Sequence, residues 1–413
     1  MVRFTPMMLF LVASGLILAC AGCVTGAARE HPQIAPERLD KIKKALGMEN
    51  WSLARRALLE ATQVDHPDTQ LVKAILRSEE ARRMSLIGLT LRVLGNASGE
   101  SAEEVIRTYR GDPERNVDLL PALGRMGKNA VGAVPYLRGR LTDPNLRPEQ
   151  KTTINVVLAC MGQATPVELG EIAEELNQKE GRAQVIQAMF YAGRNEWVTE
   201  AVKDSLLKAL GQGKEQQVWA IFALMTLGRK TDRTVVEGLT HVYDTQTDGI
   251  VRVWSGLAVA AVDSNRRHAA MQKAFLALYL EYGNCLTREI SNLPDLFYSA
   301  VGDAAFAKEA ASLVSHKDPR IATAAVSFLE IIGPATKGVT PKLIRILETA
   351  EEDDDDHPVV DGAEDLRDAA AEALGMVAGP SDPPELRKLA KKCKGDIKES
   401  LEHSIQIVQL ENW

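Results

Sequence analysis

Aromatic residues and strand-like patterns are both scarce in this sequence. Phe, Trp and Tyr together make up 5% of the 413 residues. Runs in which β-branched and polar residues alternate, as they do in half-buried strands, are rare. The chain instead contains segments rich in Ala, Leu and Glu, such as Arg367–Met376, and its hydrophobic content of 45% is enough for a large core. The composition argues against a strand-based fold and predicts an all-α protein.

Motifs for catalysis and for metal binding are also missing from the sequence. H-E-x-x-H, G-x-x-x-x-G-K and G-x-S-x-G do not occur. No two of the seven histidines stand at metal-ligand spacing; they are His31, His66, His241, His268, His316, His357 and His403. We therefore predict no catalytic, cofactor-binding or metal-binding residues, and we expect that the chain is not an enzyme.

The chain has slightly fewer positively than negatively charged side chains. Lys and Arg total 49 against 56 Asp and Glu, for a formal net charge of −7. Arg3 is the only charged residue before position 23, so the rest of the chain is more acidic still. An acidic balance disfavours a surface that neutralises phosphates. The sequence thus predicts no nucleic-acid partner, and it shows no sign of a small-molecule substrate.

The first 22 residues have the pattern of a secretory leader. Arg3 precedes a mostly apolar stretch from Met7 to Ala19, and small residues follow. This stretch is shorter than the ~20 residues needed to span a bilayer. Because no charge lies between Arg3 and Arg29, an anchor helix that continues through Ala28 is the alternative.

Two cysteines at the end of this leader resemble the lipobox of bacterial lipoproteins. Cys20 follows Ile17, a suitable aliphatic residue, but bulky Leu18 stands next to it. Cys23 follows small residues, but Cys20 occupies the position where Leu is usual. The resemblance implies that Cys20 or Cys23 is lipidated. A redox or metal-binding C-x-x-C pair is the competing interpretation, and it would need a folded surrounding that an apolar leader does not supply.

The chain repeats with a period near 34 residues from about Met84 to Lys392. Ala122–Leu141 and Phe328–Leu347 share glycines and a proline at the same spacing, and each pair of equivalent positions is 206 residues apart. Further glycines continue this spacing, and Asp263 fills one gap. The series is Gly95, Gly127, Gly162, Gly193, Gly228, Asp263, Gly302, Gly333 and Gly379.

The sequence pattern predicts a pair of helices in each repeat. Ile321, Ala325, Phe328 and Ile332 form an apolar stripe along the first helix of one unit. The glycine that follows is expected to end this helix in a left-handed conformation, and Pro135 or Pro341 suits the first turn of the second helix. Turns between units are predicted at Gly111–Arg115, Thr142–Asn145 and Lys317–Arg320, with Asp capping the next helix and Pro opening it.

This layout resembles HEAT repeats, particularly the short bacterial kind. The resemblance implies an α-solenoid of stacked antiparallel helix pairs, forming a curved rod whose concave face binds a protein partner. The predicted segments are a leader at 1–22, a tether at 23–36, an N-terminal helical cap at 37–83, repeats at 84–350, an acidic loop at 351–364, and a last repeat with a C-terminal cap at 365–413.

The sequence therefore predicts an exported scaffold or assembly factor, lipid-anchored to the bacterial cell membrane or outer membrane and facing the extracytoplasmic side. Two alternatives stay open, a HEAT-like enzyme of the lyase or glycosylase type and a structural envelope spacer. The acidic run Glu351–Asp356 could bind Ca²⁺ or a basic partner, although adjacent carboxylates usually stay solvated. Whether Cys285 or Cys393 forms a disulfide is also left open.

Overall fold

A computed structural model describes residues 34–64, 66–82, 86–111, 119–178, 182–193, 197–226, 232–282, 304–333, 338–349 and 363–410. All regular structure within these ranges is helical and none of it is strand, which confirms the all-α helical-repeat fold. Cys20 and Cys23, the tether, the acidic run Glu351–Asp356 and Cys285 lie outside the described residues.

One layer of helices forms the interior of the array, and we call these the inner helices. Each packs against the next inner helix along the chain, and α15 is the helix that links α14 to α17. They are α2 (Trp51–Ala61), α4 (Ile87–Gly95), α6 (Leu120–Met126), α8 (Pro148–Cys160), α10 (Arg182–Ala192), α12 (Lys214–Thr226), α14 (Gly249–Val262), α15 (Arg267–Tyr282), α17 (Pro319–Ile332), α19 (Ala363–Val377) and α21 (Gly395–Gln409).

A second layer, the outer helices, covers the inner one. Pro135 and Pro341 lie in the first turns of two of these helices, as predicted, and a 3₁₀ helix at Gly127–Ala133 leads into the first of them. The outer helices are α1 (Pro36–Leu46), α3 (Thr69–Arg77), α5 (Gly99–Gly111), α7 (Val134–Leu141), α9 (Pro166–Asn177), α11 (Glu200–Ala209), α13 (Arg233–Thr245), α16 (Ala304–Leu313), α18 (Thr340–Thr349) and α20 (Pro383–Ala390).

The two layers differ in how much of each helix is buried. In α17, every residue from Ile321 to Ile332 is buried, including Thr323, Ser327 and Glu330. In the 13-residue outer helix α13, the buried residues are Val235, Leu239 and Val242. A helix that is apolar on all sides belongs in a core, whereas a single apolar stripe is typical of a helix at a surface. The inner helices are therefore the core of the protein, and the outer helices carry its solvent-facing side chains.

The two ends of the inner layer contact each other. Helix α2, near the N-terminal end of the described chain, packs against α19 and α21 near the C-terminal end. Leu59 also lies beside Gly333, which follows α17. The array of stacked helices therefore brings its first and last inner helices into contact. Because α2 buries nine consecutive residues from Leu53 to Ala61, it needs neighbours on every side, and the C-terminal helices provide them.

The glycines that end the repeats only partly behave as predicted. Gly127, Gly162, Gly193 and Gly333 have positive φ angles, which other residues adopt at a cost. Two members of the series do not: Gly95 is the last residue of α4, and the backbone N–H of Gly379 donates to Asp382 Oδ2 at 2.7 Å. The prediction was wrong at these two positions, and Gly228 and Gly302 lie outside the described residues.

The turns between units also follow the prediction only in part. Asp318 caps α17 by accepting a hydrogen bond from the backbone N–H of Arg320 at 3.1 Å, and Pro319 opens the helix, as expected. The turn at Thr142–Asn145 is present, but α8 begins later, at Pro148. Gly111–Arg115 lies largely outside the described residues. None of the helices described here is long and apolar enough to cross a bilayer.

Candidate functional site

A cavity of about 420 Å³ lies between the outer helices α3 and α5. Cationic side chains predominate among the residues that line it. The lining consists of Lys73, Leu76 and Arg77 from α3, Arg82 from the turn after α3, and Glu104, Arg107 and Thr108 from α5. Four cations therefore surround one carboxylate, in a chain whose net charge is −7. We call this feature the basic cavity.

Helical spacing explains why these side chains face one another. On each helix the lining residues are three and four positions apart, which places them on one face. The opposite faces are apolar and buried, through Leu71, Val72 and Ile75 on α3 and through Val105, Ile106 and Tyr109 on α5. Asp68 fixes the start of α3, since its side chain accepts a hydrogen bond from the backbone N–H of Leu71 at 2.6 Å.

Glu104 joins the two walls of the basic cavity. Its Oε1 lies 3.4 Å from the Nζ of Lys73, and its Oε2 lies 3.1 Å from Nη1 of Arg107. The Glu104 side chain is largely buried, with 14% of its surface exposed, whereas Arg77 and Arg107 are exposed. Lys73 and Arg107 share the carboxylate of Glu104, and Arg77 adds a third positive charge, so these four side chains together carry net positive charge. Such an arrangement can bind an anion.

A second charged cluster lies where the ends of the inner layer meet. Arg56 of α2 is fully buried and donates hydrogen bonds to the carbonyl oxygens of Met376 at 2.6 Å and of Ala378 at 2.7 Å. It also donates to the carbonyl oxygen of Gly375 at 3.3 Å. The last carbonyls of a helix have no partner within that helix, so Arg56 caps the C-terminal end of α19. Burial lowers the pKa of Arg56, against the opposing charge of Glu60.

Glu60 connects this arginine to a second one on α1. Its carboxylate accepts hydrogen bonds from the Nε of Arg56 and from the Nε of Arg38, each at 2.7 Å. Arg38 in turn donates to the carbonyl oxygen of Val408, at the end of α21, at 2.7 Å. Burial would raise the pKa of Glu60, but the hydrogen bonds and charges of the two arginines hold it below its ordinary value. Two helix ends are thus capped from the other end of the chain.

Arg55 and Glu330 form a buried ion pair in the same region. Nη1 of Arg55 lies 3.5 Å from Oε1 of Glu330 on α17, and the guanidinium stands over the ring of Trp51 at 5.3 Å. All three nitrogens of the guanidinium are buried, and no described residue accepts a hydrogen bond from them. Burial, assisted by the charge of Glu372, raises the pKa of Glu330 to about 7 despite the opposing charge of Arg55. We call the contacts of Arg38, Arg55, Arg56 and Glu60 with α17, α19 and α21 the closure.

Neither cluster was predicted from the sequence, although each left a signal there. Arg55, Arg56 and Glu60 interrupt the apolar segment of α2, and Glu330 interrupts that of α17. Charged residues inside an otherwise buried helix usually have a specific partner. The basic cavity corresponds to a local excess of Lys and Arg between positions 73 and 83.

Cys20 and Cys23, the predicted lipidation candidates, lie outside the described residues. Cys160 and Cys393 are both buried in the main apolar cluster. Among the described residues, no group of three or more His, Cys, Asp or Glu side chains could hold a metal ion.

Comparison with known proteins gives no family assignment. No protein-family model matches the sequence, and no curated protein matches it. An engineered protein solved by the Northeast Structural Genomics Consortium is similar over 90% of this chain and 98% of its own, at 14% identity and a TM-score of 0.26. Kap121p and a mutant of it are similar over 91% of this chain, at 11% identity and a TM-score of 0.29. The match covers 46% of the Kap121p chain, so this chain spans less than half of that protein.

Proposed function

We propose that this protein is a lipid-tethered, extracytoplasmic scaffold or assembly factor of the HEAT-like type, which acts by binding another protein. The observation that carries the proposal is the difference in burial between the two layers. Inner helices such as α17 are buried along most of their length and form the core, whereas outer helices such as α13 bury only a narrow stripe. The exposed faces can therefore be shaped for a partner at little cost to stability.

The outer helices are the surface on which we place the partner. A partner on the concave face of the array stays a prediction, and residues such as Ile321–Ile332 of α17, which are buried throughout, cannot contribute to that face. Large exposed apolar side chains are common in binding surfaces, and they occur here on one outer helix and at the end of one inner helix. Val167 on α9 is 72% exposed, and Leu280 at the end of α15 is 64% exposed.

Cross-linking from chosen positions tests the proposal. A photo-reactive amino acid would replace Val167, Leu280 or Arg77 in the full chain, in cells that make the protein. We expect the same partner protein to be captured from at least one of these positions, and only after irradiation. Failure to capture a protein from any of them, together with turnover of a small substrate, would instead support the enzyme alternative. Failure without turnover would leave the structural spacer as the better description.

The lipobox-like residues around Cys20 and Cys23 support the lipid anchor. A lipoprotein-type modification on Cys20 or Cys23 would add several acyl chains, each CH₂ contributing about 0.8 kcal/mol of membrane binding. Metabolic labelling with a fatty acid would compare Cys20→Ala with Cys23→Ala. We expect one substitution to abolish labelling and the other to leave it unchanged. If labelling is absent from the unmodified chain as well, the anchor is a helix or is lacking.

A further inference from the structure

We propose that the basic cavity between α3 and α5 binds a carboxylate-rich segment of a partner protein. This inference rests on the proposed function, because it names the chemistry of the partner that the scaffold would hold. Arg77 and Arg107 are exposed and stand one on each wall, and Lys73 and Arg82 lie beside them. A guanidinium can donate two parallel hydrogen bonds to a carboxylate, so two exposed arginines suit a segment with several acidic side chains.

Interaction with the helix dipoles does not account for all of these cations. A cation in the last turn of a helix interacts favourably with the helix dipole, and Arg77 fits that role on α3. Lys73 lies a full turn earlier, and the basic residue in the last turn of α5 is Arg110 rather than Arg107. Lys73, Arg77 and Arg107 repel one another, and the single carboxylate of Glu104 offsets only part of this repulsion.

Glu104 neutralises only part of the positive charge in the basic cavity, and the rest can interact with a ligand. It pairs with Lys73 and Arg107, which orients both side chains along the walls. Arg77 has no ion-pair partner among the residues that the structure describes. An acidic ligand would therefore meet the guanidinium of Arg77 together with Lys73 and Arg107, which share the carboxylate of Glu104.

The shape of the site favours a protein segment over the other polyanions. A bilayer presents a broad, gently curved surface, which would reach the exposed Arg107 but not Lys73 and Glu104 between the two helices. A nucleic acid needs a track of cations along its backbone, and the protein as a whole is acidic. A cavity of about 420 Å³ can take a few side chains of an extended peptide.

Binding of a fluorescein-labelled peptide of alternating Glu and Asp to the full chain would test this assignment by anisotropy. We expect Arg77→Glu and Arg107→Glu each to weaken binding by ~10-fold or more, because each removes a charge-assisted hydrogen bond and adds repulsion. Glu104→Gln should strengthen binding, since it removes the one carboxylate in the cavity. Arg233→Glu is the matched control: Arg233 lies on α13, its side chain is 89% exposed, and affinity should not change.

Three further measurements decide the interpretation. Far-UV circular dichroism should show the same thermal transition for Arg77→Glu and Arg107→Glu as for the unchanged chain, because both side chains are exposed. Inorganic phosphate and vesicles containing an anionic phospholipid are the competing ligands. Equal or tighter binding of either one at the cavity would overturn the assignment to an acidic protein segment. Loss of peptide binding in Arg233→Glu, or no binding to the unchanged chain, would overturn it as well.

The two proposals can fail separately. If cross-linking captures a partner through Val167 or Leu280 and the acidic peptide does not bind, the scaffold function stands and the assignment of the basic cavity is wrong. If the peptide binds but no partner is captured from any position in cells, the cavity is an anion site and the scaffold function loses its support.

Discussion

The guanidinium of Arg56 donates a hydrogen bond to the carbonyl oxygen of Met376 at 2.6 Å, although the two residues are 320 positions apart in the chain. Arg56 belongs to α2 and Met376 to the last turn of α19, so this bond joins the two ends of the inner layer. It is accompanied by the bonds of Arg38 to α21 and by the Arg55–Glu330 pair with α17. The closure therefore makes stability at one end of the array depend on residues at the other.

Replacement of Arg56 by Met should destabilise the protein strongly. The substitution keeps much of the packing volume but removes the donors to three carbonyl oxygens and one of the two arginines that hold Glu60. Breaking a buried charge network in this way typically costs about 3–5 kcal/mol. Urea unfolding followed by circular dichroism would measure the loss. Arg233→Met on the exposed face of α13 is the control, and an equally small effect for both would contradict the structural role of Arg56.

Glu330 should make stability depend on pH in an unusual direction. Its pKa is raised from 4.5 to about 7 in the folded chain, so the folded state holds the proton more tightly than the unfolded state. The free energy of unfolding should therefore fall as the pH rises from about 4.5 through about 7, by up to ~3 kcal/mol. Glu330→Gln removes the titrating group, so unfolding measured at both ends of this range should show a flatter profile and a gain above pH 7.

The matched control for this experiment is Glu237→Gln, on a side chain that is 60% exposed. It should leave the pH profile unchanged. A Glu330→Gln profile that overlies the original one would show that another group sets the pH dependence.

Gly333→Ala should destabilise the protein, whereas Gly132→Ala should not. Gly333 has a φ of 74°, and a Cβ at this position would come within 2.8 Å of the side-chain carbons of Leu59. A residue other than glycine in such a conformation costs about 1–3 kcal/mol, and the close contact adds to this. A Cβ at Gly132 would meet nothing within 4 Å, and its φ is ordinary. Thermal unfolding of the two variants compares the sites directly, and equal midpoints would argue against the contact between α2 and the end of α17.

Removal of α1 and α2, residues 36–61, should loosen α19 even though it is more than 300 residues away. The loss of Arg56 and its neighbours leaves the end of α19 uncapped and exposes its contact with α2. If the closure contributes ~3 kcal/mol, amide hydrogen exchange in α19 should rise by about 100-fold. Exchange in α12, which packs on α10 and α14 in the middle of the inner layer, is the internal control and should change little. Unchanged exchange in α19 would mean that the closure adds nothing to its stability.

Local rules account for much of the fold without any tertiary information. Asp318 and Pro319 mark the start of α17, and the apolar stripe from Ile321 to Ile332 marks its length, because capping and helical periodicity act over a few residues. Gly127 and Gly333 end their helices with positive φ for the same reason. Gly95 and Gly379 did not follow the pattern, since a glycine can also simply end a helix or occupy an ordinary turn.

The sequence by itself determined that the chain is helical, that the helices come in pairs and where several of them begin and end. Only the tertiary structure decided that Arg56 meets Met376 and that Lys73, Arg77 and Arg107 share one cavity. The physical reason is that periodicity and capping are local, whereas partners for buried charges come from whichever helices the packing brings together. The charged residues in α2 indicate that buried partners are needed, but the sequence does not identify those partners.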